Sequence, residues 1–321
     1  MARNSWSKVI FVYFAIALTI LSAEYFFPAE NEYAIHFPVF LSVLLLIPIF
    51  AWHKSYRKKA YLSDEVNGRT KGTVLLWVFA LFVLALSVRV PSVLLFNLPY
   101  EKTPLIYLVV LTILIVEKKH VSAFGFKTEN MGKSLLFGLL FFVLLDGLVM
   151  LFYYVLVFIF TNQIPVHSYD VVPLFLTLPF MTLCVGISEE GFFRGYMQTN
   201  LDEVYSVRQA IVIQAILFGV WHFVWNLSPF DPFGMLQYVG ITFLIGLLFG
   251  YFYSKTRNLA PLVFAHGLFD SVPQGIIENK SAFDAFETIS VANQILTTIL
   301  PYAVAMISTF LFVKYIARKM G

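Results

Sequence analysis

The sequence predicts an all-α fold, a polytopic transmembrane helical bundle of about ten spans (8–10) with a polar cavity between helices of its second half. Three observations predict it. Hydrophobic residues make up 59% of the 321 and charged residues only 13%, with a mean hydropathy of +0.79; an average soluble domain carries about 25% charged residues. Apolar runs of about the 20 residues needed to cross a hydrocarbon core recur along the chain. The Lys and Arg residues between those runs fall almost wholly in alternate loops, which is the charge asymmetry of a multi-pass membrane protein.

The runs lie near 8–26, 36–53, 73–96, 103–117, 134–160, 172–199, 208–227, 235–254, 260–278 and 292–315. Arg3 and Lys8 precede the first run in the manner of a signal peptide. That run is long and aromatic, however, and Glu24-Tyr25-Phe26-Phe27 follows it instead of a small-residue cleavage site, so a retained span is expected. The fourth run is short and Pro91 interrupts the tail of the third, so either is a candidate re-entrant segment. Pro173 and Pro179 predict an irregular entry to the sixth.

With an even number of spans, 19 of the 22 Lys and Arg residues lie on one side, and only Arg89, Lys102 and Lys280 on the other. Both termini are therefore expected in the cytoplasm, and the expected location is the plasma membrane of a prokaryote. The net charge of +3 is no nucleic-acid signature, and the basic loop around 54–72 suits anionic headgroups. The single cysteine, Cys184, allows no intrachain disulfide and reads as a packing residue. The chain divides into an N-terminal membrane region, 1–130, of unassigned role; a core, 131–290; and a final helix with a basic tail, 291–321.

Ionisable residues inside spans are expensive and point to function. The first four runs are almost free of them. The later runs carry Asp146, then Glu189, Glu190 and Arg194, then His222, then His266 and Asp270. Asp146 reads as a buried hydrogen-bonding or cavity-lining residue. Glu190 and Arg194 stand four apart and share a helix face as an ion pair, whereas Glu189 points about 100° away and stays free for chemistry. Phe218, His222 and Asn226 share a face, as do His266 and Asp270. These groups reach a common depth if the helix bearing Glu189 runs from about 180 to 200, with 172–179 an irregular approach. Gly246 and Gly250 form a small-residue pair suited to close helix packing.

Ser188-Glu-Glu-Gly-Phe-Phe-Arg-Gly195 resembles the EExxxR motif of the CAAX-protease and bacteriocin-processing (CPBP, or Abi) family of membrane proteins, which includes type II CAAX prenyl endopeptidases. Leu217-Phe-Gly-Val-Trp-His222 is similar to its FxxxH motif, and His266-Gly-Leu-Phe-Asp270 to its HxxxN/D motif. The stretch from Gly246 to Pro261 is also typical of the family. The resemblance covers about residues 170–275 and none of the first 130.

The resemblance implies a catalytic cavity and intramembrane hydrolysis of a peptide bond. In it Glu189 activates water, assisted by His222, while His266 and Asp270 stabilise the tetrahedral intermediate. Glu190, Arg194 and Asn226 would support the site. The best-known prenyl-protein proteases carry Asn where this chain has Asp270, so Asp270 is expected to be protonated or to orient His266. Glu189, His222 and His266 are also a possible Zn²⁺ set, although the soluble-protease pattern HExxH is absent. The implied partner is a membrane-associated substrate, either a prenylated CaaX C-terminus or a peptide or bacteriocin precursor. Other readings of the same pattern are a non-catalytic immunity or partner-binding protein and, against the absence of a paired repeat, a transporter.

Overall fold

The computed structural model describes residues 2–26, 43–49, 51, 69–97, 100–164, 167–168, 171–271, 276–277 and 288–315. Helix α1 is Ala2–Phe26, α2 is Lys71–Phe96, α3 is Lys102–Val116 and α4 is Met131–Thr161. Helix α5 runs over 171–202, α6 is Val207–Asn226, α7 is Pro232–Thr256, α8 is Ala260–Ser271 and α9 is Val291–Tyr315. The only strands among the described residues are two-residue segments, β1 (His167–Ser168) and β2 (Ile276–Ile277), paired antiparallel.

Local chemistry sets the helix ends. The Thr70 hydroxyl accepts from the Thr73 backbone N–H at 3.2 Å to open α2, and Asn97 closes it in a left-handed conformation. Ser206 and Gln209 form a capping box at the start of α6, while Asp231 caps α7 with Pro232 in its first turn.

Among the described residues, six helices (Ser5–Phe26 within α1, then α2, α4, α6, α7 and α9) are long and apolar enough to cross a membrane. Nine of the ten expected runs overlap α1 to α9. The second, 36–53, lies mostly outside the described residues, with helical turns only at 43–44 and 46–49. The short α3 is buried from Lys102 to Leu114, so it is a core helix with no lipid-facing side over that stretch. By contrast Leu76, Leu95, Ile159, Leu236 and Ile307 stand exposed on the outer surface, as lipid contact requires.

Two prolines behave differently from expectation. Helix α2 continues through Pro91 to Phe96, so its tail is not broken. Residues 172–179 are not an irregular approach: the helix runs through Pro179 to Phe180 and passes directly into a π-helical segment, Met181–Gly186. A π turn absorbs one extra residue within a continuous helix, so the missing proline N–H re-registers the chain without ending it. A second π segment, Gly191–Gln198, follows Ile187–Glu190, which places the paired glutamates on a short α-helical island between two wide turns.

The core has two parts. One joins α1, α2, α3, α5 and α6 through residues such as Tyr13, Phe82, Leu105, Phe193 and Trp221. The other joins α4, α7, α8 and α9 through Phe141, Phe249, Phe252, Leu262 and Val313. Helix α8 packs on the first π segment of α5 and α7 packs on α6, and these contacts bring the two parts together. Side chains are missing where the helices touch. A Cβ on Gly186 would lie 2.6 Å from the Val263 carbonyl oxygen, and one on Gly267 would overlap Thr182. A Cβ on Gly246 of α7 would likewise lie 3.1 Å from Ala215 Cα on α6. Gly267→Val should therefore destabilise the bundle by about 1–3 kcal/mol through overpacking, read as a lower midpoint of thermal unfolding in detergent. An unchanged midpoint would show that α8 does not sit this close.

At one end of the bundle, loops assigned from the sequence to a common side are tied together. Arg69 bonds Glu117 and donates to Asn200 Oδ1 at 2.9 Å. Lys119 pairs with Glu203 at 2.7 Å and Arg257 with Asp202 at 2.7 Å.

Candidate active site

The α-helical island on α5 presents both carboxylates inward, and each is buried. Glu190 Oε1 lies 3.0 Å from Arg194 Nη1, one helical turn on, and 2.7 Å from His266 Nδ1 on α8. Glu190 thus holds the imidazole as well as the guanidinium. Arg194 itself is fully buried, with its guanidinium stacked 4.0 Å from the centroid of Phe218 and 5.0 Å from that of Phe249. Two aromatic faces supply the rest of its electrostatic compensation.

Glu189 has two unlike oxygens. Oε1 accepts from the Trp221 indole N–H at 2.8 Å and bonds the Lys102 ammonium. Oε2 is buried with no hydrogen-bond partner among the described residues, 3.5 Å from His266 Nε2 and 4.0 Å from His222 Nε2. His222 closes α6 where it tightens into a 3₁₀ turn, and its Nδ1 lies 2.8 Å from the Phe218 carbonyl oxygen. That acceptor fixes the proton on Nδ1 and leaves Nε2 facing Glu189 as a free base. Asp270 sits one turn beyond His266, with Oδ2 3.4 Å from Nε2.

The sequence-derived residues Glu189, Glu190, Arg194, His222, His266 and Asp270 therefore converge. Asn226, whose Oδ1 is buried without a partner among the described residues, lines a cavity of about 400 Å³ together with Trp225, Gly234, Gln237, Tyr238 and Ile241. The edge of Tyr238 meets the His222 ring at 5.6 Å between centroids, so the cavity abuts the site. Asp146 lies elsewhere, half-buried in the π turn Val143–Gly147 within electrostatic reach of Tyr302.

Three ionisable residues escaped the sequence reading. Arg89 and Lys102 were expected among charges on the outer side, and the first four spans were read as nearly uncharged. Both side chains are instead buried at the site with Glu101. Arg89 bonds Glu101, donates from Nε to the Trp221 carbonyl at 2.9 Å and lies 4.4 Å from the centroid of the Trp221 ring. Lys102 Nζ is 3.2 Å from Glu101 Oε1. Two cations and two carboxylates, Arg89, Lys102, Glu101 and Glu189, neutralise one another, which is how a lipid-embedded core tolerates them. Arg89 lies within an apolar run and was detectable on that ground. Glu101-Lys102 read as a loop because it adjoins the break between two runs.

Residues 171–272 match the family model described as Type II CAAX prenyl endopeptidase Rce1-like. The Rce1-like segment contains all three motifs and excludes Arg89, Glu101 and Lys102. The matched family implies a protease, and the apolar helices make the chain an integral membrane protein. No curated protein and no solved structure matches the chain.

Among the described residues, no three His, Cys, Asp or Glu side chains form a group able to hold a metal ion. The carboxylate that would have to serve, Glu189, is already bonded to an ammonium group, whose charge opposes a second cation beside it. The residues around Glu189 therefore do not fit a bound metal.

Proposed function

We propose that this chain is an intramembrane endopeptidase that hydrolyses a peptide bond of a membrane-associated substrate by glutamate-activated water. The substrate class is a prenylated CaaX-type C-terminus or a membrane-bound peptide precursor. The observation that carries this reading is the unpartnered Glu189 Oε2 between two imidazole nitrogens, 3.5 and 4.0 Å away, beside an open cavity of about 400 Å³.

The chemistry follows from the hydrogen bonds. Water bound between Glu189 Oε2 and His222 Nε2 gives a proton to the carboxylate as its oxygen attacks the scissile carbonyl. The proton then passes to the departing amine as the C–N bond breaks. A donor is needed for the oxyanion. The family resemblance implies His266, with Asp270, for that role. Nδ1 points its proton at Glu190, so Nε2 can donate only when the ring carries both protons. Glu190, Glu189 and Asp270 all approach the ring within 3.5 Å and compensate that charge. Asp270 thereby orients and neutralises His266.

The orientation that accompanies this reading puts both termini in the cytoplasm of a prokaryote. Its support is the sequence asymmetry together with the ion pairs that gather Arg69, Lys119 and Arg257 at one end.

The test is cleavage by the purified full chain in lipid, assayed with a farnesylated CaaX peptide and with an unprenylated membrane-anchored peptide. Cutting of either supports the reading and identifies the class. Cutting of neither, by protein shown to be folded, counts against it and favours a binding role. A metal-free mechanism adds a second expectation: activity should persist within about twofold after exhaustive chelation. Loss on chelation with recovery on added Zn²⁺ would refute it.

A further inference from the structure

We propose that Lys102, outside the Rce1-like segment, is a positioning residue: it holds Glu189 by Oε1 and so reserves Oε2 as the oxygen that receives the proton from water. The proposal rests on the proteolytic reading above and deepens it, by naming which oxygen acts and what selects it.

The asymmetry of the carboxylate carries the inference. Three groups converge on Oε1: the Lys102 ammonium, the Trp221 indole N–H at 2.8 Å, and the Arg89 guanidinium at 4.0 Å. None of them reaches Oε2, which faces the two imidazoles. Without that clamp the side chain would be free to rotate and present either oxygen, and the geometry toward the bound water would be lost part of the time. Lys102 is itself held from behind, because Glu101 Oε1 lies 3.2 Å from its Nζ and is bonded to Arg89. The residues that follow on α3 are packed, with Leu105, Ile106, Leu108 and Val109 all buried. The lysine thus emerges from a buried helix start, with a carboxylate at each side.

This gives the N-terminal region a role in the reaction. The three motifs supply the acid pair and the imidazoles, while α2 and α3 supply the cations that fix the acid. The site is incomplete in the Rce1-like segment alone.

Two measurements on the full chain in lipid test the proposal. In the first, Lys102→Met should lower kcat about 100-fold with KM within about twofold, and Lys102→Arg should restore most of the loss. In the second, which needs no substrate, the carboxyl-reactive probe dicyclohexylcarbodiimide should label Glu189 in K102M and leave it protected in wild type and K102R, as read by peptide mass spectrometry. Should K102M fail to insert, Lys102→Gln gives the same comparison. Unimpaired turnover in K102M, or equal labelling of Glu189 with and without the ammonium, overturns the proposal. A merely structural lysine would lower the yield of folded protein but leave the kcat of the folded fraction intact. A wild type that cleaves nothing overturns the proteolytic reading itself, and with it any part for Lys102 in hydrolysis. A cutting wild type with an unimpaired K102M overturns only the part given to Lys102.

Discussion

Glu189→Gln should abolish proteolysis, with a fall in turnover of at least about 1,000-fold, because the amide cannot take a proton from water. The fold requires care in this variant. Glu189 is one of two carboxylates balancing Arg89 and Lys102, and its neutralisation leaves one net positive charge buried. Removing one partner of a buried charge network typically costs about 3–5 kcal/mol, so loss of activity alone would not separate chemistry from folding. The double variant E189Q/K102M restores the charge balance, with Glu101 and Arg89 still paired. It should insert and melt close to wild type and yet remain inactive. Substantial cleavage by the double variant, measured on the same peptides, would remove Glu189 from the role of base.

Glu190→Gln should damage both the structure and the chemistry. Its Oε1 serves Arg194 at 3.0 Å and His266 at 2.7 Å, and all three side chains are buried. The variant leaves a guanidinium in the core with no carboxylate bonded to it, a loss of about 3–5 kcal/mol. It also frees the His266 ring, so the surviving folded protein should be impaired in catalysis as well. Thermal unfolding in detergent checks the first effect. Turnover per folded molecule checks the second. Adding Arg194→Met should recover stability without recovering activity, because the uncompensated charge is gone while His266 still lacks its carboxylate. If E190Q melts and turns over like wild type, the ion pair is incidental and the oxyanion donor lies elsewhere.

Much of this architecture is legible in the primary structure for a simple reason. Lipid imposes long apolar runs, and an ionisable residue inside one stands out against them. Glu189, Glu190, His222 and His266 are visible in this way, and the four-residue spacing from Glu190 to Arg194 already implies their contact. The course of the chain through 172–186 is less legible. Proline propensity argues for a break at Pro179, while the wide turn of Met181–Gly186 keeps the helix whole. Hydropathy has no signature for that turn. Nor does it distinguish a charge facing water beyond a helix end from one facing another helix.

The paired acids, the two imidazoles and the membrane setting are thus determined by the order and spacing of residues along the chain, because helix periodicity and the price of burying charge act locally. Tertiary structure alone decided the rest: that Lys102, 87 residues from Glu189 in sequence, is bonded to it, and that Glu190 serves His266 across 76 residues. Such pairings depend on which helices pack side by side, here through the glycine-lined contact of α5 with α8 and the burial of α3 against α5. The balance of buried charges that makes them tolerable is a property of the packed bundle and of no single span.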